Sequence, residues 1–140
     1  MQIHQSAEDY LETILMLNQR MGRVRSIDVV NELGYTKASV SIAMKKLREN
    51  GYIAVDGEGN LTLLEPGREI AERIYSRHRL LTHFFVQLGV DEEVAAEDAC
   101  KAEHILSEQT LEKIREYALL HDAQDLSLIH ISEPTRRRGI

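Results

Sequence analysis

The feature that most constrains this chain is a pair of short amphipathic segments separated by a glycine turn. A helix is predicted over residues 26–33, which Ser26 can cap, and Gly34 follows it as a helix-terminating residue. A second helix is predicted over 37–50, with Thr36 as its N-cap. The apolar side of the first helix consists of Ile27, Val30 and Leu33. Two short helices joined by a glycine-containing turn are typical of a helix-turn-helix, whose second helix enters the major groove of DNA.

The second predicted helix carries polar side chains on the faces that its core stripe leaves open. The stripe predicted to be buried consists of Val40, Ala43, Met44 and Leu47. Side chains near the N-terminus of this helix suit base edges, and its lysines suit phosphates. The candidate DNA-binding residues are Ser26, Thr36, Lys37, Ala38, Ser39, Ser41, Lys45 and Lys46.

Charge is distributed unevenly along the chain, whose net charge is −6. The segment from Leu33 to Arg48 has four basic residues and no acidic one, whereas residues 64–125 have 7 Lys and Arg against 14 Asp and Glu. A basic patch on an acidic protein is compatible with DNA binding, because salt screens charges over about 10 Å. On charge alone, a DNA-contacting face and a solvated helix face are favoured about equally.

The flanking patterns extend the helix-turn-helix into a winged helix. A helix is predicted over 6–21, and period-two alternation at 53–55 and 61–63 predicts a β-hairpin that serves as the wing. The tip of this hairpin, residues 56–60, is acidic, which argues against a strong grip on phosphate by the wing. We therefore expect residues 1–65 to form a winged helix-turn-helix DNA-binding domain with a small β-hairpin wing.

Three further helices are predicted after the wing. The first covers 66–88, the second covers about 92–106 after Asp91 as its cap, and Ser107 caps the third. We expect residues 66–125 to form an α-helical second domain, so that the fold class is mostly α.

Several classes of protein are disfavoured by the sequence. No run of about 18 apolar residues occurs, so we expect no membrane span, and the N-terminus lacks the pattern of a signal peptide. The single cysteine, Cys100, rules out an intramolecular disulfide, and a reducing cytoplasm fits best.

The last residues interrupt the pattern. Residues 126–140 do not continue the preceding helical pattern and resemble the in-frame translation of an adapter used in sequencing libraries. We expect this segment to be a non-native tail, and therefore take neither His130 nor the run Arg136–Arg138 as functional.

A cluster of metal-ligand residue types lies in the second domain. Cys100, Glu103 and His104 are at i, i+3 and i+4 of a predicted helix, which places them on one face. Thiolate, carboxylate and imidazole are the main protein metal ligands. His78 shares the packed face of the long helix over 66–88.

Two more candidate ligands, Asp9 and Glu12, are at i and i+3 on the first helix. Each candidate taken singly has an ordinary explanation: a core histidine, a solvent-facing acid, or a cysteine that acts as a small buried hydrophobe. Six candidates on three helices are a much stronger signal if they converge, which the sequence alone does not show.

These motifs resemble the diphtheria toxin repressor family of metal-dependent regulators, most closely its manganese-transport-regulator branch. The resemblance covers residues 4–122 and rests on four stretches: Ser6–Glu12, the helix-turn-helix through Tyr52, Arg77–Leu81 and Ala99–His104. It implies that the second domain binds metal and forms a homodimer, with 92–106 and 107–121 supplying the dimer seam. Five residues match ligand positions of the manganese branch: Asp9, Glu12, His78, Glu103 and His104.

Cys100 departs from the manganese branch, which has glutamate at this position. The iron-responsive branch has cysteine there, but it has methionine where this chain has Asp9, and two of its ancillary ligands fall on Thr82 and Ala96. The carboxylates favour Mn(II) or Fe(II), whereas Cys100 favours iron, cobalt or zinc. We expect Mn(II) or Fe(II), in that order, with Zn(II) or Co(II) as alternatives.

The resemblance implies a repressor of metal-uptake genes that binds a palindromic operator in double-stranded DNA. Metal held by donors from both domains would link them and fix the two recognition helices of a dimer about one helical turn of DNA apart. Two alternatives remain: a winged-helix regulator of a small organic ligand, and a metal-dependent hydrolase. A nucleophilic-cysteine enzyme is disfavoured because no oxyanion-hole glycines flank Cys100, and we expect no enzymatic activity.

Overall fold

A computed structural model of the chain describes residues 5–131, with side chains described up to residue 122. Within this range the elements follow in the order α1 (Gln5–Met21), α2 (Ser26–Leu33), α3 (Lys37–Glu49), β1 (Ile53–Val55), β2 (Leu61–Leu63), α4 (Glu65–Leu88), α5 (Glu92–Ala102) and α6 (Glu108–Ile131). The predicted class, mostly α with one β-hairpin, is confirmed.

The chain divides into two compact units between Tyr75 and Ser76, within α4. The sequence places its domain boundary between residues 65 and 66, where α4 begins. The core of the first unit contains apolar residues of α1, α2, α3, the hairpin and the beginning of α4, among them Leu11, Ile14, Val29, Val40, Leu47, Ile53 and Ala71. The second unit has a smaller core around Leu81, Ala99 and Leu111.

The helix-turn-helix forms because its turn and its second N-cap are encoded locally. Gly34 has φ 73°, a left-handed conformation that glycine adopts without steric cost, and its N–H donates to the carbonyl of Val30 at 2.8 Å. The hydroxyl of Thr36 accepts a hydrogen bond from the N–H of Ser39 at 3.1 Å. The predicted cap at Thr36 is therefore confirmed.

The beginning of α2 differs from the prediction. Arg25, not Ser26, is the N-cap residue, and the carboxylate of Asp28 accepts a hydrogen bond from the backbone N–H of Arg25 at 2.8 Å. The buried side chain of α2 is Val29, whereas Ile27 is 42% exposed. Of the predicted apolar stripe, Val30 and Leu33 pack against the core, whereas the placement of Ile27 on this face is wrong.

The hairpin pairs β1 and β2 antiparallel, with Ile53 opposite Leu63 and Val55 opposite Leu61. Ile53, Leu61 and Leu63 are buried, as the alternating pattern predicts, and they close the core of the first unit.

The predicted bounds of α5 are wrong at its C-terminal end. The helix ends at Ala102 and not at residue 106, and Glu103 is its C-cap residue with φ −60° and ψ −22°. Ser107 then caps α6, because its hydroxyl accepts a hydrogen bond from the N–H of Thr110 at 3.2 Å. His104 consequently lies in the turn between α5 and α6 and not on a helix face.

Helix α6 extends through Ile131, so residues 126–131 of the predicted non-native tail are helical, and the non-native origin of the tail stays a prediction. The rest of the predicted non-native tail, including Arg136–Arg138, lies outside the described residues. Among the helices of the described range, none is both long and apolar enough to cross a membrane.

Gly67 lies where α4 approaches the hairpin, and we predict that a larger residue is not tolerated there. A Cβ at Gly67 would lie 2.2 Å from the carbonyl oxygen of Tyr52, a backbone atom that cannot rotate away. Gly67→Ala should therefore lower the free energy of unfolding by about 1–3 kcal/mol, measured by urea denaturation. Gly57→Ala is the matched control, since a Cβ there would meet open space and should change stability by less than about 1 kcal/mol. Equal stability of the two variants would contradict this close approach.

Candidate metal centre and DNA-binding face

The second unit contains a carboxylate, that of Glu103, whose side chain is wholly buried. The Nδ1 atom of His78 lies 3.2 Å from its Oε1 atom, and the Nε2 atom of His104 lies 3.4 Å from its Oε2 atom. Neither carboxylate oxygen accepts a hydrogen bond from the residues that the structure describes. The side chains of His78 and His104 are 21% and 2% exposed, so one carboxylate and two imidazoles, all potential metal ligands, meet in a largely buried place.

Helix α4 and the turn after α5 position this group. His78 lies in α4, where the hydroxyl of Thr82 donates to its carbonyl at 2.8 Å. Arg77 donates from Nη1 to the carbonyl of Glu103 at 3.2 Å and from Nη2 to the carboxylate of Glu108 at 2.7 Å. Since Arg77 thereby bonds both the end of α5 and the beginning of α6, it fixes the backbone that carries Glu103.

Arg77 is a positioning residue that the sequence reasoning missed. The sequence places Arg77 in the family stretch Arg77–Leu81 but gives it no role. Its partners, Glu103 and Glu108, are more than twenty residues away, and no local spacing identifies them. One indirect signal in the sequence is the cap at Ser107. A helix that begins after Ser107 requires a turn before it, and this turn is where Arg77 binds the backbone of Glu103.

Cys100 lies on α5 and is exposed, unlike Glu103. It shares with His78 the lining of an open cavity of about 720 Å³, together with Glu93, Val94, Ala96 and Glu97. His78 therefore contacts the buried carboxylate of Glu103 and also faces a cavity that Cys100 lines. The prediction that Cys100, Glu103 and His104 all lie on one helix is wrong, because α5 ends at Ala102.

This group fits a divalent metal ion. A buried carboxylate whose charge is not compensated costs several kcal/mol, and a bound cation removes that cost. Two imidazole nitrogens beside the same carboxylate supply the nitrogen and oxygen donors that first-row divalent metals prefer. The residues that would hold the ion in this unit are His78, Glu103 and His104, with Cys100 next to them across the cavity.

Asp9 and Glu12 belong to α1 of the first unit. Asp9 is half-buried, and the side chain of Glu12 is buried with 6% exposure, which is unusual for an acid. Their role as metal ligands stays a prediction.

The predicted DNA-binding residues lie mostly on the exposed side of the helix-turn-helix. Helix α3 buries Val40, Met44 and Leu47, and Ser26 is half-buried. The exposed candidates are Thr36, Lys37, Ala38, Ser39, Ser41, Lys45 and Lys46. Thr36 also donates from its hydroxyl to that of Ser39 at 2.9 Å, so these two side chains first serve the helix cap. Helix α3 contains no acidic residue before Glu49, the last residue of the helix.

Comparison with known proteins matches both parts of the chain. A family model for the "Iron dependent repressor, N-terminal DNA binding domain" matches residues 2–61, and one for the "Iron dependent repressor, metal binding and dimerisation domain" matches residues 64–120. The HTH-type transcriptional regulator MntR of Bacillus subtilis is 32% identical over 120 residues, which cover 86% of this chain and 84% of that protein. This chain belongs to the diphtheria toxin repressor family of metal-dependent regulators.

Other similar proteins agree with this membership of the diphtheria toxin repressor family. An uncharacterized HTH-type transcriptional regulator of Methanocaldococcus jannaschii is 36% identical over 113 residues, which cover 79% of this chain and 90% of that protein. A solved manganese-dependent transcriptional repressor in complex with manganese has a TM-score of 0.73 and 28% identity, and the match covers 80% of this chain. It covers 52% of that structure, and the chain spans about half the length of the solved repressors it matches.

The comparisons confirm three sequence-based predictions for this member of the diphtheria toxin repressor family. They confirm the resemblance to the manganese-transport-regulator branch, the winged-helix and dimerisation fold, and the function class of a metal-responsive DNA-binding transcriptional repressor.

We predict that Glu103→Gln stabilises the metal-free protein but abolishes its stabilisation by metal. At pH 8 in chelator, where imidazoles are generally neutral, the amide should raise the free energy of unfolding by about 1–3 kcal/mol, because it removes an uncompensated buried charge. The same variant should lose the rise in Tm that Mn(II) gives the wild type. Both are measured by thermal and urea unfolding.

Glu72→Gln is the matched control for this experiment. Its carboxylate is 59% exposed and lies 3.6 Å from Arg68, so its removal should change stability by less than about 1 kcal/mol and leave the metal effect intact. A Glu103→Gln protein that is destabilised in chelator and still stabilised by Mn(II) would contradict the assignment of the metal centre.

Proposed function

We propose that this protein represses metal-uptake genes when Mn(II) or Fe(II) is plentiful, by binding a palindromic operator as a metal-loaded homodimer in the cytoplasm. The observation that carries the proposal is the buried carboxylate of Glu103 between two imidazoles, in the part of the chain that matches a metal-binding and dimerisation domain. We expect no enzymatic turnover, since the matching family models describe binding domains.

The proposed ligand set has six members: Asp9, Glu12, His78, Cys100, Glu103 and His104. The contacts of His78 and His104 with Glu103 support three of them. The shared cavity supports Cys100, and the family positions in α1 support Asp9 and Glu12. When bound, the metal supplies positive charge and directed bonds to these donors.

The donor types set the order of metals. Three carboxylates and two imidazoles at the positions of the manganese branch favour Mn(II) or Fe(II), and these are the metals named for the relatives of the chain. Cys100 adds a softer donor, which favours Fe(II), Co(II) or Zn(II) over Mn(II). We expect Cys100→Glu to shift the preference toward Mn(II).

The proposed mechanism is a shift of population. Asp9 and Glu12 belong to the unit that reads DNA, and the other four ligands belong to the second unit. Without metal the acidic donors repel one another, whereas ligation from both sets favours the DNA-binding conformation. A hundredfold gain in DNA affinity needs only about 2.7 kcal/mol of differential binding.

The homodimer presents two recognition helices to successive major grooves, about one helical turn apart, which is why we expect a palindromic operator. We propose that residues 92–106 and 107–121 form the dimer seam. Several large apolar side chains of this region are exposed in the single chain: Val94, Ile105, Tyr117, Leu119 and Leu120. Apolar side chains concentrated in this way are typical of an interface.

The experiment is fluorescence-anisotropy binding to DNA from the gene's own promoter, without oxygen and at fixed salt, in chelator or with Mn(II), Fe(II), Zn(II) or Co(II). At least one of these metals should tighten binding tenfold or more, and Glu103→Ala should abolish the gain while Glu72→Ala, which removes an exposed carboxylate outside the proposed seam, keeps it. Cys100→Glu should increase the gain from Mn(II) relative to that from Zn(II).

Equal binding in chelator and in every metal would contradict the proposal. The chain would then be a winged-helix regulator that answers to another signal, such as a small organic ligand. Turnover of a substrate by the metal-loaded protein without DNA would instead favour a metal-dependent hydrolase.

A further inference from the structure

The segment Arg23–Arg25, which joins α1 to α2, extends the wing of the first unit. The N–H of Leu61 donates to the carbonyl of Val24 at 2.7 Å, and Arg25 forms an antiparallel bridge with Asn60. Val24 is wholly buried, whereas Arg23 and Arg25 are exposed. Because side chains of extended backbone alternate between faces, both arginines project to the same, solvent-facing side.

Asp56, one of the two acids of the wing tip, forms its hydrogen bonds within the turn. The carboxylate of Asp56 accepts hydrogen bonds from the N–H of Glu58 at 2.9 Å, the N–H of Asn60 at 2.9 Å and the side-chain amide of Asn60 at 3.0 Å. These bonds, first of all those from Asn60, hold the pKa of Asp56 below its usual value. The charge of Asp56 is therefore stabilised by the turn itself.

Glu58 is the only acid of the wing tip with an ion pair to this segment among the described residues, and that pair is weak. Its carboxylate lies 3.9 Å from the guanidinium of Arg23, and the two side chains are 78% and 83% exposed. Exposed pairs at such a distance contribute about 0–1 kcal/mol and separate readily in favour of a better anion.

The guanidinium of Arg25 lies beside the tip of the turn. A Cβ at Gly59 would be 3.6 Å from its Nε atom, an ordinary van der Waals distance, so the guanidinium packs close to the turn. An open groove of about 570 Å³ is lined by Arg23, Arg25, Gly57, Glu58 and Asn60. Two guanidinium groups on one face of such a groove match the geometry of phosphate oxygens.

We propose that Arg23 and Arg25 form a phosphate-binding edge of the wing, which contacts the DNA backbone beside the segment read by α3. This inference rests on the proposed DNA binding and adds a contact that the acidic tip of the hairpin alone would not provide. Residues 53–63 contain no lysine or arginine, so the preceding segment supplies the positive charge that this wing lacks. Phosphate contacts position a protein on DNA without reading its sequence.

The experiment measures the affinity of the metal-loaded protein for promoter DNA and for a scrambled duplex at several salt concentrations. Arg23→Gln and Arg25→Gln should each weaken binding to both duplexes by about threefold to tenfold, and each should reduce the slope of log K against log salt by about 0.9. Glu58→Gln should tighten binding to both. Arg25→Lys should keep the slope while it loses part of the affinity, because the charge remains and the planar fork is lost.

Arg68→Gln is the matched control, since Arg68 is an arginine of the same unit that lies 3.6 Å from Glu72 on α4. The backbone N–H of Arg25, which donates to the carboxylate of Asp28 at the beginning of α2, is kept in every variant, so unchanged Tm values are expected. Affinities and salt slopes of the Arg23 and Arg25 variants equal to those of Arg68→Gln would overturn this inference. If the arginine effects appear but metal does not change the affinity, this inference stands and the proposed metal coupling fails.

Discussion

The buried carboxylate of Glu103 is the interaction on which the rest of the account depends. A wholly buried acid that accepts no hydrogen bond from the described residues opposes folding, and two imidazoles 3.2 and 3.4 Å away do not remove that cost when they are neutral. The chain nevertheless holds the acid firmly, because Arg77 bonds the carbonyl of Glu103. A positively charged ligand accounts for this buried carboxylate, and the fixed backbone keeps the donor atoms in place to bind it.

This arrangement separates the two tasks of a metal sensor along the chain. The first unit carries the exposed cations of α3 and of the Arg23–Arg25 segment, whereas the second carries the buried donor group. The acidic balance of residues 64–125 is useful in the second unit, where donors are needed, and it would be unfavourable next to phosphate. DNA binding depends on where the charges lie along the chain, so the net charge of −6 alone says little about it.

The sequence predicted those parts of the fold that depend on neighbouring residues. The turn at Gly34, the caps at Thr36 and Ser107 and the alternation of the hairpin are encoded within a few positions, and the structure has all of them. The end of α5 was mispredicted because it depends on Arg77, which lies on another helix. The cap of α2 was misassigned by one residue, since α2 already begins at Ser26 and Arg25 is the N-cap residue, whose backbone N–H donates to the Asp28 carboxylate. Convergence of His78 with Glu103 and His104 likewise depends on packing, and the sequence could only name the candidates.

The central claim is that metal binding and DNA binding are linked by a single coupling free energy. Because this coupling is reciprocal, it can be measured from either binding event. The decisive measurement is an equilibrium titration of Mn(II), and of Fe(II) without oxygen, into the protein alone and into its complex with promoter DNA. The account predicts that DNA tightens metal binding by the same factor by which metal tightens DNA binding, tenfold or more. Identical metal affinities with and without DNA would contradict it.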